Sequence, residues 1–370
     1  MSTPSPSPTA QDERVRSESG LKKLLNRPEL GSISGTVLVF AFFLIVAGDS
    51  GMFNADGILN WTTVSAQLGI LAIGACLLMI SGEFDLSIGS MIGFAGMMIA
   101  IPLTIWGWPA WMCILFAFAG AMMIGFLNGF IVVKTGLPSF IVSLAFLFIL
   151  RGLTIALSIL FTNKTIISGV SDAAGDDILA AAFGGEIGNS FFTWLASHNL
   201  IDTYPDGDPI VSGIPMVIVW WILLTVIASF ILLRTRYGNW IFASGGDPKA
   251  ASNVGVPTDK VKISLFVFTA FCAAVFAACQ VFEFGSAAAD RGLLKEFEAI
   301  IAVVIGGALL TGGYGSVVGA CFGALIFGVV QMGIFFTGLD SDWFRVFLGI
   351  MLLAAVLFNN FIRIRVTTSR

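Results

Sequence analysis

Two carboxylates, Glu83 and Asp85, stand in the stretch ISGEFDLSIGS between two apolar runs that leave almost no room for a loop. A charge held at membrane depth is expensive and marks an ion site, a proton relay or a solute pathway. The same pair in a tight turn at the inner membrane edge would be solvated, and the residues alone leave both readings open. Arg151 raises the same question in LFILRGLTIAL. From that depth a guanidinium does not easily reach water, so it should face the bundle interior and pair with carboxylates or line an aqueous path. If the span begins or ends elsewhere, Arg151 is interfacial. Ser87, Asn128, Gly312, Gly313 and Ser316 complete the candidate pathway set. By themselves Asn128 and Lys134 read as cap and anchor near the inner end of a span.

Other chemistries lack their residues. There is no Gly-Lys pair anywhere, hence no phosphate-binding loop of the G-x-x-x-x-G-K-[ST] type. The single histidine, His198, lies in a polar loop, and no nucleophile, base and orienter can be assembled around it. Cys76, Cys113, Cys272, Cys279 and Cys321 all fall inside apolar runs without metal-ligand spacing, so they read as small packing residues. No catalytic residue, metal site or bound cofactor is expected on this chain.

The elements that must position these residues are membrane spans. Of the 370 residues, 57% are hydrophobic and 11% charged, far below the roughly 25% charged residues of soluble domains. The expected fold is therefore all-α: a polytopic membrane protein with about ten transmembrane helices, since each needs ~20 apolar residues. The spans fall near 34–47, 64–80, 88–105, 109–133, 138–161, 213–233, 261–282, 299–310, 316–336 and 343–361, the first and eighth being short enough to be broken or tilted. Residues 1–33 read as a disordered basic tail, 34–361 as the membrane domain and 362–370 as a second tail. Arg14, Arg16, Lys22, Lys23 and Arg27 place the N-terminus in the cytoplasm. Counting onward puts Lys134, Arg234, Arg236, Lys249, Lys260, Lys262 and the C-terminal arginines inside as well. The acidic loop 162–212, with Lys164 its only basic residue, then falls outside. Asp290, Arg291, Lys295, Glu296 and Glu298 read as a solvated charge network on that outer side, where a partner protein could dock. Trp106, Trp108, Trp111, Trp220, Trp221 and Trp343 suit the two interfaces.

Two Gly-broken spans share a layout: Gly89-Ser90-Met91-Ile92-Gly93 and Gly315-Ser316-Val317-Val318-Gly319. Paired breaks in two halves hint at internal repeats with a pathway between them. Gly125 with Gly129, and Gly315, Gly319 and Gly323, put small residues on one helix face for close packing, within the bundle or at a dimer face.

The polar loop 234–260 contains ASGGDPKAASNVGV. It resembles the cytoplasmic loop of permease subunits in ATP-binding-cassette importers, where a short helix docks into the ATPase subunit. Asp247 can cap that helix, Gly245 and Gly246 turn the chain into it, Ala250 and Ala251 let it nestle closely, and Gly255 ends it. With GEFDLSIGS, NGFIVVKTGLPSFIVSLAFLFILRGL and AIIAVVIGGALLTGGYGSVVGACFGALIFG in family order, about 38–360 looks like the ribose/xylose/fructose-type sugar permeases of that class. The resemblance implies a homodimeric pore in a bacterial inner membrane. It implies import of a monosaccharide (a pentose, hexose or related polyol) delivered by a periplasmic sugar-binding protein. ATP and Mg would be bound by partner ATPase subunits, and no nucleic acid is involved. Glu83-Phe84 replaces the Gly-Ile often found before Asp-Leu-Ser, and the outer loop is long. The rival readings are an ion-coupled secondary transporter using Glu83, Asp85 and Arg151, and a permease of the same class for amino acids.

Overall fold

In lipid a backbone amide has no water to bond, so apolar runs must close their hydrogen bonds internally as helices. The computed structural model describes residues 28–340 and 342–351, together with 353 and 357. Helix α1 spans Pro28–Ala47, α2 Ala55–Ile80, α3 Ile88–Ile105, α4 Ala110–Thr135 and α5 Ser139–Thr162. Prolines mark two starts: Pro109 precedes α4 and Pro138 precedes α5. Residues with left-handed backbone mark two ends, Gly136 after α4 and Asn163 after α5.

The upper end of the bundle is a folded cap and not the single loop read from the sequence. Strand β1 (Ile166–Ser168) is followed by short helices α6 (Val170–Ala174) and α7 (Ile178–Gly184), strand β2 (Glu186–Ile187), helix α8 (Asn189–Ser197) and strand β3 (Ile214–Pro215). β2 pairs antiparallel with β3. Asp177 caps α7 by accepting from the amides of Leu179 and Ala180. The cap is fastened to the next span, α9 (Met216–Arg234), by the Trp220 indole, which donates to the Ala182 carbonyl at 2.9 Å and stacks on Phe183.

Below α9 come α10 (Arg236–Gly246) and α11 (Pro248–Asn253) at the lower end, then α12 (Thr258–Glu283). Strand β4 (Ser286–Ala288) pairs with β1 in the register Ile166 to Ala288. Helix α13 covers Lys295–Ile305 and α14 Val317–Phe336. Among the described residues, eight helices are long and apolar enough to cross a membrane: α1 to α5, α9, α12 and α14.

The eighth expected span, 299–310, is replaced by α13. Its eleven residues rise about 16 Å, half of a ~30 Å hydrocarbon core. Gly306 and Gly307 end it, Gly307 with a left-handed backbone. The first span begins at Pro28 and the second at Ala55, earlier than expected. Residues 1–27 of the basic tail, residues 352, 354–356 and 358–361 of the expected span 343–361, and the tail 362–370 lie outside the described residues.

The core lies around α2 and α12, which are mostly buried, whereas α1, α5 and α9 turn most of their apolar surface outward. α2 packs on α14, α12, α9 and α13, while α12 packs on α4 and α3. The small-residue faces serve this packing. A Cβ on Gly125 would strike the Phe266 carbonyl and Ala270 of α12, and one on Gly323 the Ala302 carbonyl of α13.

Two helices begin inside the bundle. The segment 81–87 turns back up from the end of α2, and Asp85 reaches Thr269, about 16 Å along α12 from Thr258. So α3 starts at roughly half the depth of the bundle. After β4 the chain descends beside α3: the carbonyls of Ala289 and Arg291 face Gly93, and that of Gly292 faces Gly89. α13 therefore starts next to the first turn of α3.

Candidate functional site

Asp85 is 6% exposed and fully occupied by partners. Its Oδ1 accepts from the Ser87 amide (2.8 Å), the Ser87 hydroxyl (2.6 Å) and Asn128 Nδ2 (3.2 Å), and its Oδ2 from the Thr269 hydroxyl (3.0 Å). One carboxylate thus ties the break before α3 to α4 and α12. The arrangement suits a negative group just ahead of a helix N-terminus, where the first amides lack intrahelical acceptors. Asn128 is a buried mid-helix residue and not the cap read from the sequence; it also donates to the Ser87 hydroxyl at 3.3 Å. Thr269 was not picked out, because a lone threonine in an apolar run carries no signal until its partner is known.

Glu83 forms a half-buried ion pair with Lys262 in the first turns of α12. Arg151 lies about 18 Å along α5 from Ser139, at mid-depth as expected, and its Nη1 donates to the Ala289 carbonyl at 3.2 Å. Ion pairs among the described residues are Glu83 with Lys262, Lys295 with Glu298 and Asp342 with Arg345. Glu83, Asp85 and Arg151 thus hold separate partners and form no common network. No cluster of metal-ligating side chains occurs among the described residues.

The glycines do converge. Gly313 donates its amide to the Ile80 carbonyl at 2.8 Å, joining the break after α13 to the end of α2. A Cβ on Gly245 would collide with the same Ile80 carbonyl and with the Gly313 amide. One on Gly312 would lie 2.8 Å from the Gly82 Cα and 3.0 Å from the Gly245 carbonyl. Three backbones therefore touch without side chains between them: the two Gly-rich breaks and the last turn of α10. Gly312 and Gly313 both have φ near +75°, which L side chains rarely adopt. Ser316 caps α14 by accepting from the Gly319 amide at 3.4 Å. That differs from a hydroxyl exposed to a pathway.

The polar loop forms its short helix. Asp247 caps α11 by accepting from the amides of Lys249 (3.1 Å) and Ala250 (3.0 Å), and Gly255, with φ +90°, follows its end. Two details depart from expectation. Gly245 and Gly246 do not turn the chain into α11; they are the final residues of α10, where Gly245 is needed for close approach. Ala251 is turned into the protein, while Ala250 faces outward. The prominent apolar group on this surface is Val254, 81% exposed, which the sequence reading passed over.

The charge cluster after α12 is a further correction. Glu296 and Glu298 are buried at 3% and 9% exposure, so they do not form a solvated outer network. Arg291 is anchored to the Gln280 and Ser286 carbonyls and lies over the Phe284 ring. The reason is the descent of 289–294 beside α3, which carries these residues into the bundle.

The comparisons with known proteins agree with this frame. A xylose transport system permease protein of Escherichia coli (strain K12) is 30% identical, over 91% of this chain and 93% of its own. A fructose import permease protein of Rhizobium meliloti is 28% identical, over 80% and 76%, and a ribose import permease protein of Haemophilus influenzae 28%, over 90% and 94%. Among solved structures there is no significant match. The family described as "Branched-chain amino acid transport system / permease component" matches residues 57–356, and the chain, a multi-pass membrane protein, belongs to that permease family.

Proposed function

We propose that this chain is the membrane-spanning subunit of an ATP-driven importer for a monosaccharide: a pentose, a hexose or a related polyol. The sugar assignment rests on the xylose, fructose and ribose permeases, which resemble the chain over most of its length. The observation that carries the mechanism is the junction of Gly245, Ile80, Gly82, Gly312 and Gly313. It connects the surface helix α11, through α10, to both breaks by direct backbone contact. A push on α11 therefore reaches the start of the segment leading into α3 and the end of α13 together.

In this reading the lower end is cytoplasmic and both termini lie there. A partner ATPase, holding ATP and Mg, docks on Ala250 and Val254. Its nucleotide-free and nucleotide-bound forms must engage α11 differently, since only differential interaction shifts a conformational equilibrium. A sugar-binding protein delivers solute to the cap at 162–215. A second copy of the chain completes the pore in the inner membrane. Glu83, Asp85, Ser87, Asn128, Gly312, Gly313 and Ser316 brace the moving segments, with Arg151 fixing the descending strand at mid-depth.

The test is gentle purification from native membranes followed by uptake of labelled monosaccharides in vesicles. An ATPase subunit should accompany the chain in stoichiometric amount, and uptake should require ATP. Uptake by the chain alone on a proton or sodium gradient would replace this reading with an ion-coupled transporter. Uptake restricted to amino acids would replace the substrate class only.

A further inference from the structure

Helices α3 and α13 are tied to each other at two levels. At the lower end their connecting segments meet at Gly82 and Gly312. At mid-depth their first turns meet at Gly89 and Glu296. The Glu296 Oε2 occupies the space in which a Cβ on Gly89 would stand, and the Gly292 carbonyl closes over the same glycine. Glu296 is 3% exposed, and its Oε2 has no hydrogen-bond partner. A buried carboxylate with a free oxygen is normally costly. Here it faces the first turn of an eighteen-residue helix, whose N-terminal amides carry positive partial charge. Glu298, two residues further on, is itself paired with Lys295.

We propose that Glu296 is a positioning residue for transport: its carboxylate latches α13 to the first turn of α3 and holds the two half-depth helices together while the lower junction is at rest. The interaction is charge against helix dipole, without a directional hydrogen bond to Oε2. It can therefore slip and re-form as the helices slide, which a saturated site such as that of Asp85 cannot do cheaply. Glycine at position 89 is required because any side chain would displace the carboxylate. The inference rests on the coupling reading above, since the junction of Gly245 with both breaks is what would pull against the latch.

The variant is Glu296→Gln, which keeps the shape and removes the charge. In the chain reconstituted alone in phospholipid vesicles, hydrogen exchange of the amides at 88–91 and 295–298 should rise about tenfold, the population shift expected on losing a helix-terminus anion. In the full complex with the ATPase, ATP hydrolysis without binding protein should rise by a similar factor per folded complex, because the resting state is no longer held. Glu296→Asp should restore part of both. Should Glu296→Gln fail to fold, Glu296→Asp, whose shorter side chain withdraws the carboxylate from Gly89, should give the same two signatures in weaker form. Unchanged exchange overturns the latch. Raised exchange with unchanged hydrolysis per folded complex overturns the transport role and leaves a packing contact. A wild-type chain that takes up no ATPase sinks the importer reading itself, a result visible before any variant is made.

Discussion

The Gly313 amide donates to the carbonyl of Ile80 at 2.8 Å, across more than half the length of the chain. The bond joins the two Gly-rich breaks directly, and Gly245 is wedged against both of its partners. The contact is possible only because none of the approaching residues carries a Cβ at the point of closest approach.

Gly245→Ala should therefore destabilise the protein by about 1–3 kcal/mol, since the added methyl meets backbone and not a yielding side chain. Gly246→Ala, whose Cβ would meet nothing within 4 Å, should change stability by less than about 0.5 kcal/mol. Thermal unfolding of both variants in detergent checks the pair. Equal melting temperatures would remove the junction as a close contact.

Val254→Glu should leave folding intact and break docking of the ATPase. A substitution at an exposed site shifts stability by about 0.5 kcal/mol or less, whereas loss of a central interface residue weakens binding tenfold or more. Ala251→Glu should do the reverse and unfold the loop, because it forces a charge into a buried position. Co-purification of the ATPase, set against melting temperature, separates the two. A Val254→Glu chain that retains its ATPase and full ATP-driven uptake would disprove the assignment of the docking face.

Thr269→Val leaves Asp85 Oδ2 buried without its donor and should cost about 1–3 kcal/mol. Thr269→Ser keeps the hydroxyl and should recover most of it. If valine and serine behave alike in chemical or thermal unfolding, the bond between α12 and the break before α3 contributes nothing.

For Glu83 and Lys262 a double-mutant cycle with Glu83→Gln and Lys262→Met should return a coupling of about 1 kcal/mol, weakened by added salt. Both side chains keep some exposure, which holds the figure near the range of surface pairs. A coupling of zero at low salt would mean that the pair closes no contact of consequence between α12 and the break.

Much of this architecture was legible in composition and spacing. Apolar runs of twenty or more residues in a chain with 11% charge dictate helices in lipid, because no other element closes its own hydrogen bonds there. Asp247 followed by Pro248 marks the start of α11, and Gly255 its end, because caps are local chemistry within four or five residues. The two breaks were visible as polar and glycine interruptions. The candidate pathway residues were visible for the same reason, as polar groups where hydropathy alone would not put them.

What each interruption touches was not legible. The reading that Glu296 and Glu298 are solvated failed because burial here depends on 289–294 descending beside α3, a path set by packing against Gly89 and Gly93. Thr269 could not be singled out because it gains meaning only from Asp85, 184 residues earlier in the chain. The same holds for α13, whose sequence is as apolar as a span but whose length is set by Gly306 and Gly307. The sequence by itself determined that the chain crosses a membrane many times, where α11 is capped and where it ends, and that this surface helix is rich in small residues. The tertiary structure alone decided that this helix is joined, through the last turn of α10, to both breaks, and that Gly245, Gly312 and Gly313 share one backbone contact. Periodicity and capping act over a few residues, whereas helix register and close approach depend on side-chain volumes brought together from distant parts of the chain.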